Sequence, residues 1–251
     1  MSDSDSALTY TSYLALDELL KLQRPLSVGP EHDEMLFIII HQSFELWFKQ
    51  LIHEFIHAQA LLEAGSTYDA AATLGRIRTI LKVCVSQVDI LETMTPLQFS
   101  SFRGYLAASS GFQSAQFRMV EAILGRKDQK MYSHLPPADQ ERIQALINAN
   151  SLFDSLLIYL AKRGHSTHSN QNDVQSMLIA VHRSDPESAM ICERLMDIDE
   201  GLQEWRYRHI KMVERTIGHK PGTGGSAGVG YLASTLFNPV FPDLWAIRDR
   251  L

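Results

Sequence analysis

An all-α, long-helix bundle is the fold this sequence predicts, and three observations predict it. Apolar residues recur at spacings of three and four along most of the chain. Alternating runs of strand length are scarce, and Gly and Pro clusters fall between the periodic segments. The 251 residues, 45% of them apolar, suffice for one large domain with a complete core. No linker or fixed-period repeat divides them, so residues 1–251 read as a single domain, with the polar first eight expected to be disordered.

In order, the periodicity places helices at 13–23, 34–63, 68–91, 112–124, 138–147, 151–163, 171–181 and 186–217. Gly29 and Pro30 separate the first pair, Gly65 the second, and Pro96, Gly104 and Gly111 the third. Gly125, the Pro136–Pro137 pair, Gly164 and Pro186 punctuate the rest. Two of these helices run about 30 residues, roughly 45 Å at 1.5 Å per residue, a length that suits the antiparallel members of a bundle.

Composition excludes several function classes. The formal charge is −6, with no long Lys/Arg block, which argues against a nucleic-acid partner. Apolar runs such as 35–40 are far shorter than a bilayer requires, and the N-terminal MSDSDS lacks the form of a signal peptide. The expectation is a soluble cytoplasmic protein with no membrane partner. Cys84 and Cys192 both lie in apolar helical context, where each reads as a small buried hydrophobe.

Segment 220–230, KPGTGGSAGVG, holds five of the chain's 14 glycines. It lacks the Gly-Lys-Ser/Thr of a P-loop, and the dinucleotide fingerprint would have to follow a strand. Two readings stay open: a surface linker, or a loop whose backbone approaches a ligand closely because glycine has no Cβ.

Two histidines lie inside apolar stripes. Phe37, His41, Phe44, Phe48, Leu51 and Phe55 alternate steps of four and three, so they share one helix face and His41 points inward. Ile191, Leu195, Ile198, Leu202, Trp205, His209 and Met212 repeat the arrangement on the last long helix. Each buried imidazole needs a partner. From the residues alone that partner is either an ordinary core hydrogen bond or a cofactor; one histidine suffices as the protein ligand of a haem but not of zinc. His53, Glu54 and His57 form HEFIH, a formal match to the zinc-peptidase HExxH. Ala60 and Glu63 stand where the extended motif needs glycine and histidine, so this segment reads as a polar flank with His57 and Glu54 in solvent.

The blocks EHDEMLFIIIHQSFELWFKQLIHE (31–54), LETMTPLQFSSFRGYLAASSGFQSAQFR (91–118), WRYRHIKMV (205–213) and GTGGSAG (222–228), in this order, resemble the tryptophan 2,3-dioxygenase family. The resemblance covers nearly the whole chain. It implies an internal haem pocket closed by the Gly-rich loop, with haem b, ferrous for O2 binding, as cofactor. It also implies insertion of both atoms of O2 across the indole C2–C3 bond of L-tryptophan, giving N-formylkynurenine. His209 matches the proximal ligand of the haem iron, and His41 the distal histidine, the catalytic position, which meets the indole N–H. Phe37 and Phe99 match residues flanking the substrate. Arg103 matches the arginine that takes its carboxylate, a task suited to a planar fork. Thr223, between Gly222 and Gly224 of the closing loop, matches a residue that engages the amino-acid end, and Ser110 one at the haem edge. Tyr10, Tyr13 and Leu14 match an N-terminal segment that completes a neighbouring subunit's pocket in a homotetramer.

The sequence departs from the family pattern at Phe44, where Tyr is common, at Val88, where an aromatic is frequent, and at Pro221 before the loop. A roomier or less polar pocket is the expectation. A haem monooxygenase acting on a modified tryptophan is the alternative, ahead of a zinc peptidase and a non-catalytic haem carrier.

Overall fold

The computed structural model describes residues 8–107, 109–166, 170–220 and 229–251. Among the described residues the chain is all-α, with no strand. The first expected helix is the one that fails. Instead of a helix over 13–23 there are two single turns, α1 (Tyr10–Tyr13) and α2 (Leu16–Leu19), separated by Ala15 at φ +49°. Neither turn buries a residue, so no packed face holds a longer helix together.

Helix α3 (His32–Ala64) spans 33 residues and ends at Gly65, whose φ of +85° only glycine adopts without strain. Two residues later α4 (Thr67–Leu91) begins and runs back along it. Apolar spacing does not announce α5 (Pro96–Arg103), but its start is written in side chains. Thr95 Oγ1 accepts from Gln98 N at 3.3 Å, Gln98 Oε1 accepts from Thr95 N at 2.8 Å, and Pro96 occupies the first helical position. The helix expected over 112–124 divides into a 3-10 turn, Gly111–Gln113, and α6 (Ala115–Ile123), because extended Ser114 caps the latter by accepting from Phe117 N.

Helices α7 (Pro137–Asn148), α8 (Leu152–Lys162), α9 (Gln171–Ser184) and α10 (Pro186–Ile217) fall within three residues of expectation. Short α11 (Val229–Ser234) and α12 (Pro242–Ala246) were not foreseen. Residues 137–162, apolar enough in sum to suggest a span, are two helices separated at 149–151, where Ser151 caps α8.

The core lies between α3, α4 and α10, with α6 and α8 on α3 and α9 on α10. Helices α4 and α10 run parallel: Gly201 approaches Leu81, and one superhelical step on, Arg208 pairs with Asp89 and with Glu92 at 3.0 Å. Leu51, Phe55, Leu74, Ile77, Leu195 and Ile198 are fully buried there, each contributing about 1.5–3 kcal/mol. Cys84 and Cys192 are buried too, and burial pushes both thiols up to about 12, so they are inert as nucleophiles at neutral pH.

The C-terminal segment is tied down by one carboxylate. Asp199 of α10 is fully buried, and its Oδ2 accepts from Val240 N, Phe241 N and Trp245 Nε1, each at 3.0 Å. Asp199→Ala leaves three inward N–H groups without an acceptor, so we expect a loss of about 2–5 kcal/mol in urea unfolding and early proteolysis near the C-terminus. Asp199→Asn, which keeps an acceptor oxygen, costs less; equal losses for the two variants would contradict the assignment.

Candidate active site

The stripes on α3 and α10 outrun the core. Phe48, Leu51 and Phe55 are buried in it, as are Ile191, Leu195, Ile198 and Leu202. Beyond them Phe44, His41 and Phe37 on one helix, and Trp205, His209 and Met212 on the other, border a cavity of about 250 Å³. Helix α5 closes one side with Phe99 and Arg103, and Ser110, Phe117 and Arg118 close another.

His41 sits on the aromatic side. Its Nδ1 lies 2.7 Å from Phe37 O, and a carbonyl only accepts, so Nδ1 carries the proton and Nε2 is left as the acceptor. Burial lowers its pKa, opposed by the Phe37 carbonyl and by Glu45, so the ring is neutral at neutral pH. Phe37 lies 4.0 Å from the imidazole between ring centroids, and it packs on Phe99 at 5.9 Å and Phe102 at 5.6 Å. Phe37 and Phe99 thus give the cavity an aromatic wall beside one acceptor nitrogen.

His209 sits on the cationic side. Its ring stacks on Trp205, one turn earlier, at 5.2 Å and 5°. Burial, then the positive potentials of His41 and Arg118, push its pKa down to about 4. Neither ring nitrogen has a hydrogen-bond partner among the described residues, and no group of three or more His, Cys, Asp or Glu able to hold a metal ion occurs among them. A neutral imidazole standing alone suits a metal that brings its own ring of ligands, as in haem, and not a bare ion.

The remaining predicted residues divide into three groups. Phe99, Arg103 and Ser110 border the cavity, and Ser110 Oγ also accepts from Phe112 N at 3.3 Å. Tyr10, Tyr13 and Leu14 do not border it in their own chain; the two tyrosines are 74% and 72% exposed. Gly222, Thr223, Gly224 and Pro221 lie outside the described residues. Two expectations need correction. Val88 is buried away from the cavity and does not shape it, so of the aromatic departures only Phe44 bears on the pocket. Glu54 is not in solvent: it is 4% exposed, and both its oxygens lie 3.1 Å from Arg76 Nη1. His53 and His57 beside it are exposed. The inward turn follows from position, since Glu54 stands three residues after buried Leu51 and beside Phe55.

Sequence reasoning missed a charged cluster on the cavity wall. Glu121 of α6, 1% exposed, accepts from Arg118 Nη1 at 2.5 Å, Arg126 Nη1 at 2.7 Å and Arg206 Nη2 at 3.2 Å. One signal was available: Arg206 lies four residues from both Leu202 and Ile210, which are buried, so its stem had to enter the protein.

The family model described as tryptophan 2,3-dioxygenase matches residues 1–135 and 137–251. The chain is 57% identical to the tryptophan 2,3-dioxygenase of Anaeromyxobacter sp. (strain K), with all of this chain and 98% of the relative covered. Identity to the enzyme of Herpetosiphon aurantiacus is 54%, covering 98% and 99% of the two chains. It is 42% to that of Caulobacter vibrioides, covering 97% and 98%.

Ligand-free protein should lose stability in acid through His209. Its folded value near 4 lies below the ~6.5 of an unfolded histidine, so the unfolded chain takes the proton first. Stability is intact above pH ~6.5 and falls towards pH ~4, by at most about 3 kcal/mol from this group. Denaturant midpoints followed across that range should decline more steeply for the native chain than for His209→Phe; parallel declines would refute the buried neutral imidazole.

Proposed function

The chain belongs to the tryptophan 2,3-dioxygenase family, and we propose that it inserts both atoms of O2 across the indole C2–C3 bond of L-tryptophan, giving N-formylkynurenine. The observation that carries the reading is a single cavity holding two neutral imidazoles in different surroundings, one amid aromatic rings and one beside arginines. His209 would hold ferrous haem b, which would supply O2 binding and the redox chemistry.

The chain's own residues do the positioning. His41 Nε2 accepts the indole N–H, and the fixed Nδ1–Phe37 bond keeps the ring in the tautomer that can do so. Phe37 and Phe99 flank the indole. The Arg103 fork takes the substrate carboxylate, and Thr223 engages the amino-acid end from the Gly222–Gly224 loop, whose closure excludes water. Fixing the indole in one orientation through these groups would lower the barrier by several kcal/mol, on the order of 7–11 at best. Tyr10, Tyr13 and Leu14, exposed in their own chain, complete the cavity of a neighbouring subunit in a homotetramer. A cytoplasmic location goes with this reading.

The test is turnover of L-tryptophan by haem-loaded, reduced protein under O2, followed by product mass and optical spectra. A gain of two oxygen atoms is expected. A gain of one would favour the monooxygenase alternative, and protein that stays colourless when haemin is supplied would end the haem reading. Arg103→Leu should raise the KM for tryptophan about tenfold or more with a smaller change in kcat; an unchanged KM would remove the carboxylate assignment.

A further inference from the structure

The buried charges on the wall beside His209 do not balance. Glu121 is one carboxylate serving three guanidiniums, of which Arg118 and Arg206 are 9% and 5% exposed. Arg126 is only partly covered, its side chain 23% exposed. Glu121 spends Oε2 on Arg118 and Oε1 on Arg126 and Arg206, and buried Asp199 also acts on Arg206, so three guanidiniums face two carboxylates and one positive charge is left in excess. The other charged side chains bordering the cavity, Glu45 and Arg103, cancel formally. Burial pulls Arg206 below the ordinary arginine value; Glu121 and Asp199 oppose this, and neighbouring Arg126 adds to it. Uncompensated buried charge costs several kcal/mol, so such a wall is built for an anionic occupant.

Two donors on the same wall are unspent. Arg118 Nε and Trp205 Nε1 are buried without a hydrogen-bond partner, and both residues border the cavity. A buried donor left unpaired costs about 1–3 kcal/mol, so each is a second, independent sign that an acceptor belongs there. Register fixes where it would lie. Trp205 and Arg206 precede His209 by four and three residues, so each is its neighbour on α10, about 5–6 Å away at Cβ.

We propose that Arg118, Arg126 and Arg206, organised by Glu121 and joined by the Trp205 N–H, form the seat for the two propionate carboxylates of the porphyrin ligated by His209. The inference rests on the haem reading above and adds to it a carboxylate-recognition site separate from the iron ligand. The excess positive charge and the two orphan donors meet the carboxylate oxygens. Glu121 binds no ligand itself; it is a positioning residue that keeps three mutually repelling guanidiniums together.

Iron-free protoporphyrin IX keeps both carboxylates and lacks the metal, so it isolates the seat from ligation. Titrating haem-free protein with this porphyrin and with its dimethyl ester, read by porphyrin fluorescence, should show the acid binding about tenfold or more tighter than the ester. High salt should erode that preference. Arg118→Gln should weaken the acid alone, Arg118→Lys should restore part of the loss, and His209→Ala should leave the preference intact. Equal binding of acid and ester by the native chain, which needs no variant to fold, would overturn the proposal. So would an Arg118→Gln protein of native helicity that loses both porphyrins equally. If haemin still gives a Soret band that depends on His209 while acid and ester bind alike, the seat falls and the haem reading stands. If neither haemin nor either porphyrin binds, both fall.

Discussion

Two helices of more than 30 residues are too long for the core they share, and the rest of the molecule follows from that excess. Helices α3 and α10 both pack on α4 and reach each other where Trp205 meets Phe44 and Phe48. The same three-and-four spacing then continues through Phe44, His41 and Phe37 on one side and Trp205, His209 and Met212 on the other, where the two stripes border open space. Closing that space with apolar side chains would have been the cheaper way to finish a bundle. The sequence instead places an imidazole in each stripe. Burial holds both of them neutral, so each offers a lone pair in a place from which water is largely removed.

The cavity is polarised across its width, and this gives the two histidines different surroundings although their stripes are alike. Around His41 the neighbours are rings: Phe37 packs on it, and Phe99 and Phe102 pack on Phe37. Around His209 the next ring is Trp205, which leads to Phe117, over which the Arg118 guanidinium lies at 5.4 Å. The first set of groups is apolar with one acceptor nitrogen; the second is aromatic and cationic. Arg103, at the end of α5, borders the same cavity.

What was legible in the sequence is what repeats. The long helices could be read because a 3.6-residue period sustained over 30 residues has few rivals, and the inward setting of His41 and His209 follows from that period alone. The turns at 10–19 deceived because leucines at helical spacing satisfy the pattern whether or not a surface exists to cover them, and here none is buried. Helix α5 was hidden for the opposite reason: eight residues are too few to establish a period, and its signal lies in Thr95, Pro96 and Gln98, side chains that bond backbone. Arg103 followed only from family resemblance, since nothing in FSSFRG separates a cavity arginine from a surface one. Glu54 and Glu121 show a further limit, because a carboxylate on an inward face becomes intelligible only when its arginines arrive from elsewhere in the chain, Arg76 for one and Arg206 for the other.

Those two carboxylates also show why buried charge is informative here. Glu54 is matched by one arginine that is itself mostly exposed, so the pair is complete and asks for nothing more. Glu121 is matched three times over, by arginines drawn from α6, from the turn after it and from α10, and all of them border the same cavity. A pair of opposite charges can be a structural staple, but a surplus of one sign, with donors left unspent, costs stability unless something else is bound. An anionic occupant would offset that cost. A ligand that took up this surplus would stabilise the folded chain, and each charge that costs the protein stability by itself would then add to the affinity.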